Sequence, residues 1–175
     1  MNKVYLSPSR QSNSFGVGDF GSEEYRMNLI ADIVERKLLE TGEYVVYRNK
    51  ENMTKQDIIK DSNNTNSDVH IAIHSYYGKG QGIITYPKVG DEKSNGFAKE
   101  IYKELYKEYY DKTKDNGLIY DEKVIEIMGV KSAAVLIQVG CHDNLKDVQW
   151  IIQNKELIGE AIVRGIIKGF KLKPC

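Results

Sequence analysis

The sequence is short of cysteine, proline and net charge, and it has no long apolar run. Two cysteines among 175 residues are too few for a disulfide framework, and three prolines with 41% hydrophobic residues make an ordinary globular composition. Lysine and arginine number 25, as do aspartate and glutamate, so the balanced charge gives no electrostatic footprint for nucleic acid or an anionic membrane surface. No apolar stretch reaches the roughly 18 residues of a membrane span, and residues 1–8 lack the apolar run of a signal peptide. We therefore expect a soluble chain made in the reducing cytoplasm, without membrane insertion.

Short apolar runs alternate with longer helical stretches, which is the pattern of an α/β domain. The runs predict strands at residues 4–7, 44–48, 69–74 and 133–139, with an edge strand at 82–86. Helical spacing predicts helices around 27–38, 53–63 and 97–109 and one or two more between 147 and 170, with Ser22 and Thr54 as caps. We expect one domain over residues 1–170, a twisted, mostly parallel sheet flanked by helices on both faces. The polar run 61–68 is predicted to be a loop, and 171–175 the start of a linker or a cut end.

Residues 16–21 match the glycine pattern G-x-G-x-x-G of dinucleotide-binding loops. That loop works only directly after a strand, with an acidic residue near the end of the next strand. Here eight residues separate Ser7 from Gly16, and the second strand ends in Arg48 and Asn49. We interpret the glycines as a mobile loop. A flavodoxin-like nucleotide or signalling domain stays an alternative, and it predicts no metal.

Glu24 is a candidate site residue because it lies on the helical stripe of Met27, Asn28 and Ala31, one turn ahead of the apolar positions. A carboxylate in a first turn can interact with the helix dipole or cap the helix. It can also be a metal ligand held by a rigid element.

The third strand carries two of the three histidines of the chain, His70 and His74, on one face. Four residues of strand span about 13 Å, so these two side chains cannot bind a single ion. We interpret His70 as a hydrogen-bonded structural residue. His74 stands at the carboxyl end of the strand, where open α/β sheets bind ligands, and it is a second candidate.

The last strand contains one polar residue, Gln138, in an otherwise apolar run. A buried glutamine needs several hydrogen bonds, so Gln138 is either satisfied in the core or lines a site. Cys141 and His142 follow, but neighbours point apart in an extended chain, which argues against a Cys–His nucleophile pair. The sequence has no G-x-S-x-G pattern of a serine hydrolase.

Five stretches together resemble the zinc-dependent N-acetylmuramoyl-L-alanine amidases, the family often called amidase type 3. They are residues 5–11, 24–28, 73–75, 135–138 and 142–144. The family has a metal-ligand loop after its first strand, a glutamate opening a helix, a strand ending in His-Ser-Asn-Ala, a late strand with Leu-Ile-Glu, and then Asp-Asn. The order and separation of these parts agree from residue 4 to about residue 170. The outline is also similar to the catalytic domains of phage endolysins and bacterial autolysins.

The resemblance implies a peptidoglycan hydrolase that cleaves the amide between N-acetylmuramic acid and L-alanine with a zinc-activated water. Its metal ligands in this sequence would be Gln11, Glu24 and His74. Many members have a histidine in the first loop, whereas this chain resembles a subgroup with Ser-Pro-Ser-x-Gln, so Gln11 would bind through its amide oxygen. Arg10 stays protonated and cannot ligate. The resemblance also implies action at the bacterial cell wall, reached by export or lysis, and allows a separate wall-binding domain after Pro174.

Gln138 stands where the family has a glutamate, which is the general acid/base of the reaction. Glutamine is nearly isosteric with glutamate but cannot exchange a proton, so we expect catalysis to be impaired. The alternative is a catalytically inactive pseudo-amidase that binds peptidoglycan or a protein partner.

Overall fold

The computed structural model describes residues 1–172 as one α/β domain with a single five-stranded sheet. The strands are β1 (Asn2–Pro8), β2 (Tyr44–Arg48), β3 (Val69–Tyr76), β4 (Ile84–Pro87) and β5 (Ala133–Cys141). The helices are α1 (Glu23–Glu40), α2 (Lys55–Thr65), α3 (Glu92–Glu108), α4 (Ile125–Gly129), α5 (Leu145–Gln153) and α6 (Lys155–Lys171). None of the helices in this part of the chain has the length and apolar character needed to cross a bilayer.

The sheet has the order β2-β1-β3-β5-β4, and only the β4–β5 pair is antiparallel. The mostly parallel sheet predicted from the alternating pattern is therefore confirmed. Because β1, β3 and β5 run in the same direction side by side, their carboxyl ends meet at one edge of the sheet, and the candidate residues of β3 and β5 lie there.

Alternation along the central strands sends side chains to two separate cores. Ile71 and Ile73 of β3 join the larger core, which also takes side chains of α1, α3, α5 and α6. On the opposite face Ala72 packs in a smaller core with residues of β5 and α4, against which Ile59 of α2 rests. Helices thus cover both faces of the sheet, as predicted. The face with the smaller core leaves room for polar side chains.

The helices begin at residues whose side chains satisfy the first free backbone N–H groups. The Ser22 side chain accepts a hydrogen bond from the Tyr25 N–H, and Thr54 forms a capping box with Asp57. Both caps were predicted from the sequence. Asn144 caps α5 in the same way, accepting from the N–H groups of Lys146 and Asp147.

Three local predictions were wrong or incomplete. Five of the eight residues of the polar run 61–68 are helical, because α2 extends to Thr65. Its side chains have tertiary partners there, since the Tyr5 hydroxyl donates to Asp61 and Ser62 bonds His70. The short helix α4 was not foreseen. The predicted linker start at 171–175 falls partly outside the described residues, as do Pro174 and Cys175, and Lys171 still belongs to α6.

The pairing of β3 with β5 changes register just beyond His74. His74 pairs with Gln138, whereas Tyr76 pairs with Cys141, so Ser75 faces two residues of β5. This is the arrangement of a β-bulge, which bends a strand and re-aims the side chains that follow. His142 comes next, and its N–H donates to the Tyr76 carbonyl.

Candidate active site at the carboxyl ends of the central strands

A cleft of about 410 Å³ lies at the carboxyl end of β1, between α2 and α4. The lining includes the loop after β1, the end of β3 and the first turn of α4, which are represented by Ser9, Arg10, Gln11, His74 and Glu126. The position agrees with the rule that open α/β sheets bind ligands beyond the carboxyl ends of their strands.

His74 is held by a buried carboxylate behind it. Its Nδ1 lies 3.0 Å from Oε1 of Glu23, which also accepts the Ser75 N–H at 3.3 Å. Burial alone would raise the pKa of the Glu23 carboxyl, but the hydrogen bond and charge of His74 outweigh it and hold the pKa below its usual value. An anionic Glu23 can only accept, so we assign the proton to Nδ1. Nε2 of His74 lies on the other side of the ring, 4.0 Å from Glu126 Oε2.

Glu126 stands across from His74 on α4. Its Oε2 lies 4.0 Å from His74 Nε2, while its Oε1 accepts from the Ser7 hydroxyl at 2.5 Å and lies 3.0 Å from His70 Nε2. Burial alone would raise the pKa of Glu126, but the hydrogen bond and charge of His70 outweigh it and lower the pKa to about 2. The carboxylate is therefore ionised although the residue is only 4% exposed.

His70 is fully buried and has partners at both ring nitrogens. Nδ1 lies 2.9 Å from the Ser62 hydroxyl, Nε2 faces Glu126, and the ring stacks on Tyr5 at 5.2 Å between centroids. The interpretation of His70 as a hydrogen-bonded structural residue is confirmed.

The structure brings two of the three predicted metal ligands to the cleft. Gln11 and His74 both line it, whereas Glu24 does not. Glu24 instead pairs with Arg10, its Oε1 lying 3.1 Å from Nη1, and the same guanidinium bonds Asn28 and Asn49. The side chain beside His74 belongs to the preceding residue, Glu23.

The sequence contained a signal for Glu23 that the spacing argument missed. Glu23 shares a helical stripe with Met27 and Ile30, both of which are completely buried. Glu24 shares its stripe with Asn28 and Ala31, of which Ala31 is buried but Asn28 only half-buried. The glutamate on the more apolar stripe, Glu23, is therefore the one that faces inward.

Gln138 lies beside His74 on the neighbouring strand and on the same face of the sheet. It is half-buried, and its Oε1 accepts a weak hydrogen bond of 3.4 Å from the Tyr86 hydroxyl. Its amide nitrogen has no hydrogen-bond partner among residues 1–172 and is available to a ligand. Gln138 does not itself line the cleft, but it lies beside His74, which does.

The glycine-rich loop packs against His142 and does not follow a strand directly. The Val17 N–H donates to the His142 carbonyl at 2.8 Å, and the His142 ring lies between the hydroxyls of Ser14 and Ser75, at 3.2 and 2.9 Å. Burial lowers the pKa of His142. Cys141 is buried, and both ring nitrogens of His142 contact serine hydroxyls and not the Cys141 thiol, which agrees with the absence of a Cys–His nucleophile pair.

The side chains around the cleft include atom types that bind zinc, but they are not the predicted set of Gln11, Glu24 and His74. Imidazole nitrogen, carboxylate and amide oxygens are donors that zinc accepts, imidazole more strongly than amide. Within the described chain, no three histidine, cysteine, aspartate or glutamate side chains form a group able to hold a metal ion. A zinc ion here would therefore need Gln11 or water to complete its coordination.

Comparison with solved structures confirms the fold. The catalytic domain of the amidase CwlV from Bacillus (Paenibacillus) polymyxa var. colistinus superposes with a TM-score of 0.84 at 19% identity, covering 99% of this chain and 100% of that one. An N-acetylmuramoyl-L-alanine amidase from Clostridium difficile 630 gives 0.82 at 20% identity, covering 99% and 98%. The catalytic domain of an endolysin targeting Clostridia difficile gives 0.78 at 18% identity, covering 95% and 97%.

Sequence comparison gives the family directly. No curated protein matches the sequence. The profile of the N-acetylmuramoyl-L-alanine amidases, however, matches residues 4–168, nearly the whole described chain. The chain therefore belongs to the N-acetylmuramoyl-L-alanine amidase family.

Proposed function

We propose that this chain is a peptidoglycan hydrolase that acts on the amide between N-acetylmuramic acid and L-alanine at the bacterial cell wall, with turnover limited by Gln138. The observation that carries the proposal is His74, which Glu23 orients and which lines a cleft at the carboxyl edge of the sheet. Family membership supplies the substrate class.

Zinc would be held at this cleft by His74, with Gln11 as a weaker ligand. When bound, zinc polarises a carbonyl and lowers the pKa of its water. The chain itself contributes orientation, because Glu23, which accepts the Ser75 N–H, fixes the plane of the His74 ring. Arg10, Lys55 and Lys123 add positive charge to the cleft lining, which favours approach of an anionic substrate.

Gln138 limits the reaction because an amide can donate and accept hydrogen bonds but cannot carry a proton from water to the leaving amine. A positioned acid/base group contributes about 10²–10⁴-fold to such a reaction. The position beside His74 suits that role, and the side chain at 138 can still bind a substrate carbonyl through its amide nitrogen.

The test is release of L-alanine amino groups from purified peptidoglycan in added zinc. We expect Gln138→Glu to raise the rate at least about 10²-fold, because glutamate restores proton transfer in nearly the same volume. Gln138→Met is the matched control, since it keeps the length and lacks any proton-transferring group; its rate should not exceed that of the wild type. Absence of a gain in zinc-loaded Gln138→Glu would refute the role given to position 138.

Gln138 also favours a second candidate, a pseudo-amidase that binds peptidoglycan without cleaving it. Pull-down of the wild type, Gln138→Glu and Gln138→Met on insoluble peptidoglycan separates the two candidates when combined with the rate measurement. Binding by all three proteins with no release from any of them would favour the binding module.

A further inference from the structure

Positive charge exceeds negative charge in the lining of the cleft that contains His74. Arg10, Lys55 and Lys123 line it, whereas Glu126 is the one acidic residue among the lining residues that the structure describes. The chain as a whole has a formal net charge of 0, so this surplus is local. A cleft lined by charges of one sign raises the local concentration of ligands of the opposite sign.

Two of these four charges are already compensated inside the protein. Arg10 Nη1 lies 3.1 Å from Oε1 of Glu24. The Glu126 side chain is buried, and its Oε1 accepts from the Ser7 hydroxyl and lies 3.0 Å from His70 Nε2. The charge that a ligand meets in the cleft therefore comes from the two lysines.

Lys55 and Lys123 lie on the two helical walls of the cleft. Lys55 is the first residue of α2, and Lys123 comes shortly before α4. Both are exposed. The ion-paired lysines of residues 1–172 are Lys37, Lys107 and Lys168, whereas Lys55 and Lys123 have no carboxylate within 4.0 Å in that part of the chain. A lysine is a point charge on a flexible stem, so both ammonium groups can turn toward a ligand between the walls.

Apolar side chains make up much of the remaining lining, namely Met53, Ile58, Val124, Ile125 and Leu136. Ile125, in the first turn of α4, is 57% exposed although its side chain is apolar. Apolar walls with a small number of charged groups are typical of pockets that bind small molecules and short segments. The cleft therefore suits an aliphatic segment that carries carboxylates.

We infer that the cleft takes the peptide side of the substrate and that Lys55 and Lys123 select peptides with free carboxylates. The inference rests on the proposed function, which gives the amide to be cleaved. The two sides of that amide differ in charge. N-acetylmuramic acid uses its carboxyl group in the amide and is neutral, whereas the peptide beyond L-alanine carries carboxylates. Two ammonium groups without internal partners therefore favour the peptide side, and amidation of its carboxylates should weaken binding.

The test compares two soluble probes in titrations of the chain followed by NMR. One probe is N-acetylmuramoyl-L-alanyl-D-glutamate, a dianion, and the other is the same compound with both carboxyl groups converted to amides. We expect the wild type to bind the dianion about 4–25-fold more tightly, because two exposed ion pairs contribute about 2–5-fold each. This preference should largely disappear at about 1 M salt, where the Debye length is about 3 Å.

The double variant Lys55→Gln with Lys123→Gln should bind both probes with similar affinity. The matched control changes Lys60 and Lys131 to glutamine, which removes the same charge at two exposed positions outside the lining, and it should keep the preference. Lys55→Arg with Lys123→Arg retains the charge and should keep it as well. All four side chains are exposed, so we expect every variant to fold, and circular dichroism checks this.

Equal affinity of the wild type for the two probes, or binding of neither, would overturn the inference. Loss of the preference in the Lys60 and Lys131 control would also overturn it, since the preference would then follow the net charge of the chain. Cleavage of both probes by Gln138→Glu with equal kcat/KM would refute the inference alone. A preference that depends on Lys55 and Lys123, without any cleavage by Gln138→Glu, would refute the proposed hydrolysis alone.

Discussion

Substitution of Gly16 tests how closely the glycine-rich loop packs against His142. A Cβ built on Gly16 would lie 2.1 Å from the His142 carbonyl oxygen, and the residue has φ +75. Gly42 has nearly the same backbone conformation, φ +72, but a Cβ there has no atom within 4 Å. Alanine at Gly42 therefore carries only the cost of left-handed backbone, whereas alanine at Gly16 must also displace the chain at His142.

The two contributions can be estimated separately. Left-handed backbone costs about 1–2 kcal/mol for a residue with a Cβ. Forcing a side-chain atom against packed backbone costs about 1–3 kcal/mol more. We expect Gly42→Ala to lower the free energy of unfolding by the first amount alone. Gly16→Ala should lower it by the sum, about 2–5 kcal/mol. For a chain of this size, each kcal/mol lowers Tm by about 2–4 °C.

Urea unfolding of the two variants and the wild type, followed by circular dichroism, measures the difference. Equal losses would refute the reasoning, because they would mean that the loop does not press on His142. A larger loss at Gly42 would refute it as well. The loop also ties down the site, since the Glu23 N–H donates to the Ser14 carbonyl.

Two further predictions concern charge. Burial alone would raise the pKa of Glu104, but hydrogen bonds from Lys107, Lys168 and Arg164 outweigh it and lower the pKa to about 2. Glu104 thus stabilises the fold above about pH 4.5 and loses this contribution as the pH falls toward 2, by about 1–2 kcal/mol after solvent screening of the exposed cations. Urea unfolding between these pH values should show a shallower loss in Glu104→Gln than in the wild type, and parallel curves would contradict the assignment. Glu23→Gln should weaken zinc binding about 10–100-fold without changing its stoichiometry, because it removes the charge behind His74; unchanged affinity in calorimetry would mean that Glu23 does not orient the ring.

The sequence predicted the scaffold well because apolar periodicity determines which strands are buried. The run 133–139 is apolar except for Gln138 and forms the internal strand β5, and the cap at Ser22 identified the start of α1. The extension of α2 to Thr65 was not predictable from Asn and Ser, which favour turns. Contacts far away in the sequence, from Tyr5 and His70, hold that last turn in place.

The site was predictable only in part. His74 could be found because a strand end is a local feature of the sequence. Glu126 could not, because it lies on a helix of five residues whose only link to His74 is spatial. Glu23 and Glu24 are adjacent, and the choice between them depends on helical phase and on Arg10, whose interaction with Glu24 no spacing rule contains.

The β-bulge after Gln138 allows the alignment of Gln138 and the direction of His142 to be set separately, whereas a regular strand would fix both together. The segment before it aligns Gln138 with His74, while the extra residue beyond it sets the direction in which His142 meets Ser75 and Ser14. Deleting Gly140 would remove the extra residue, so Cys141 would still pair with Tyr76 but the strand would lose the bend that re-aims His142. Substitutions in the turn from His142 to Asn144 can therefore leave Gln138 aligned with His74. A change of strand length at Gly140 would instead alter how the turn is positioned relative to these two residues.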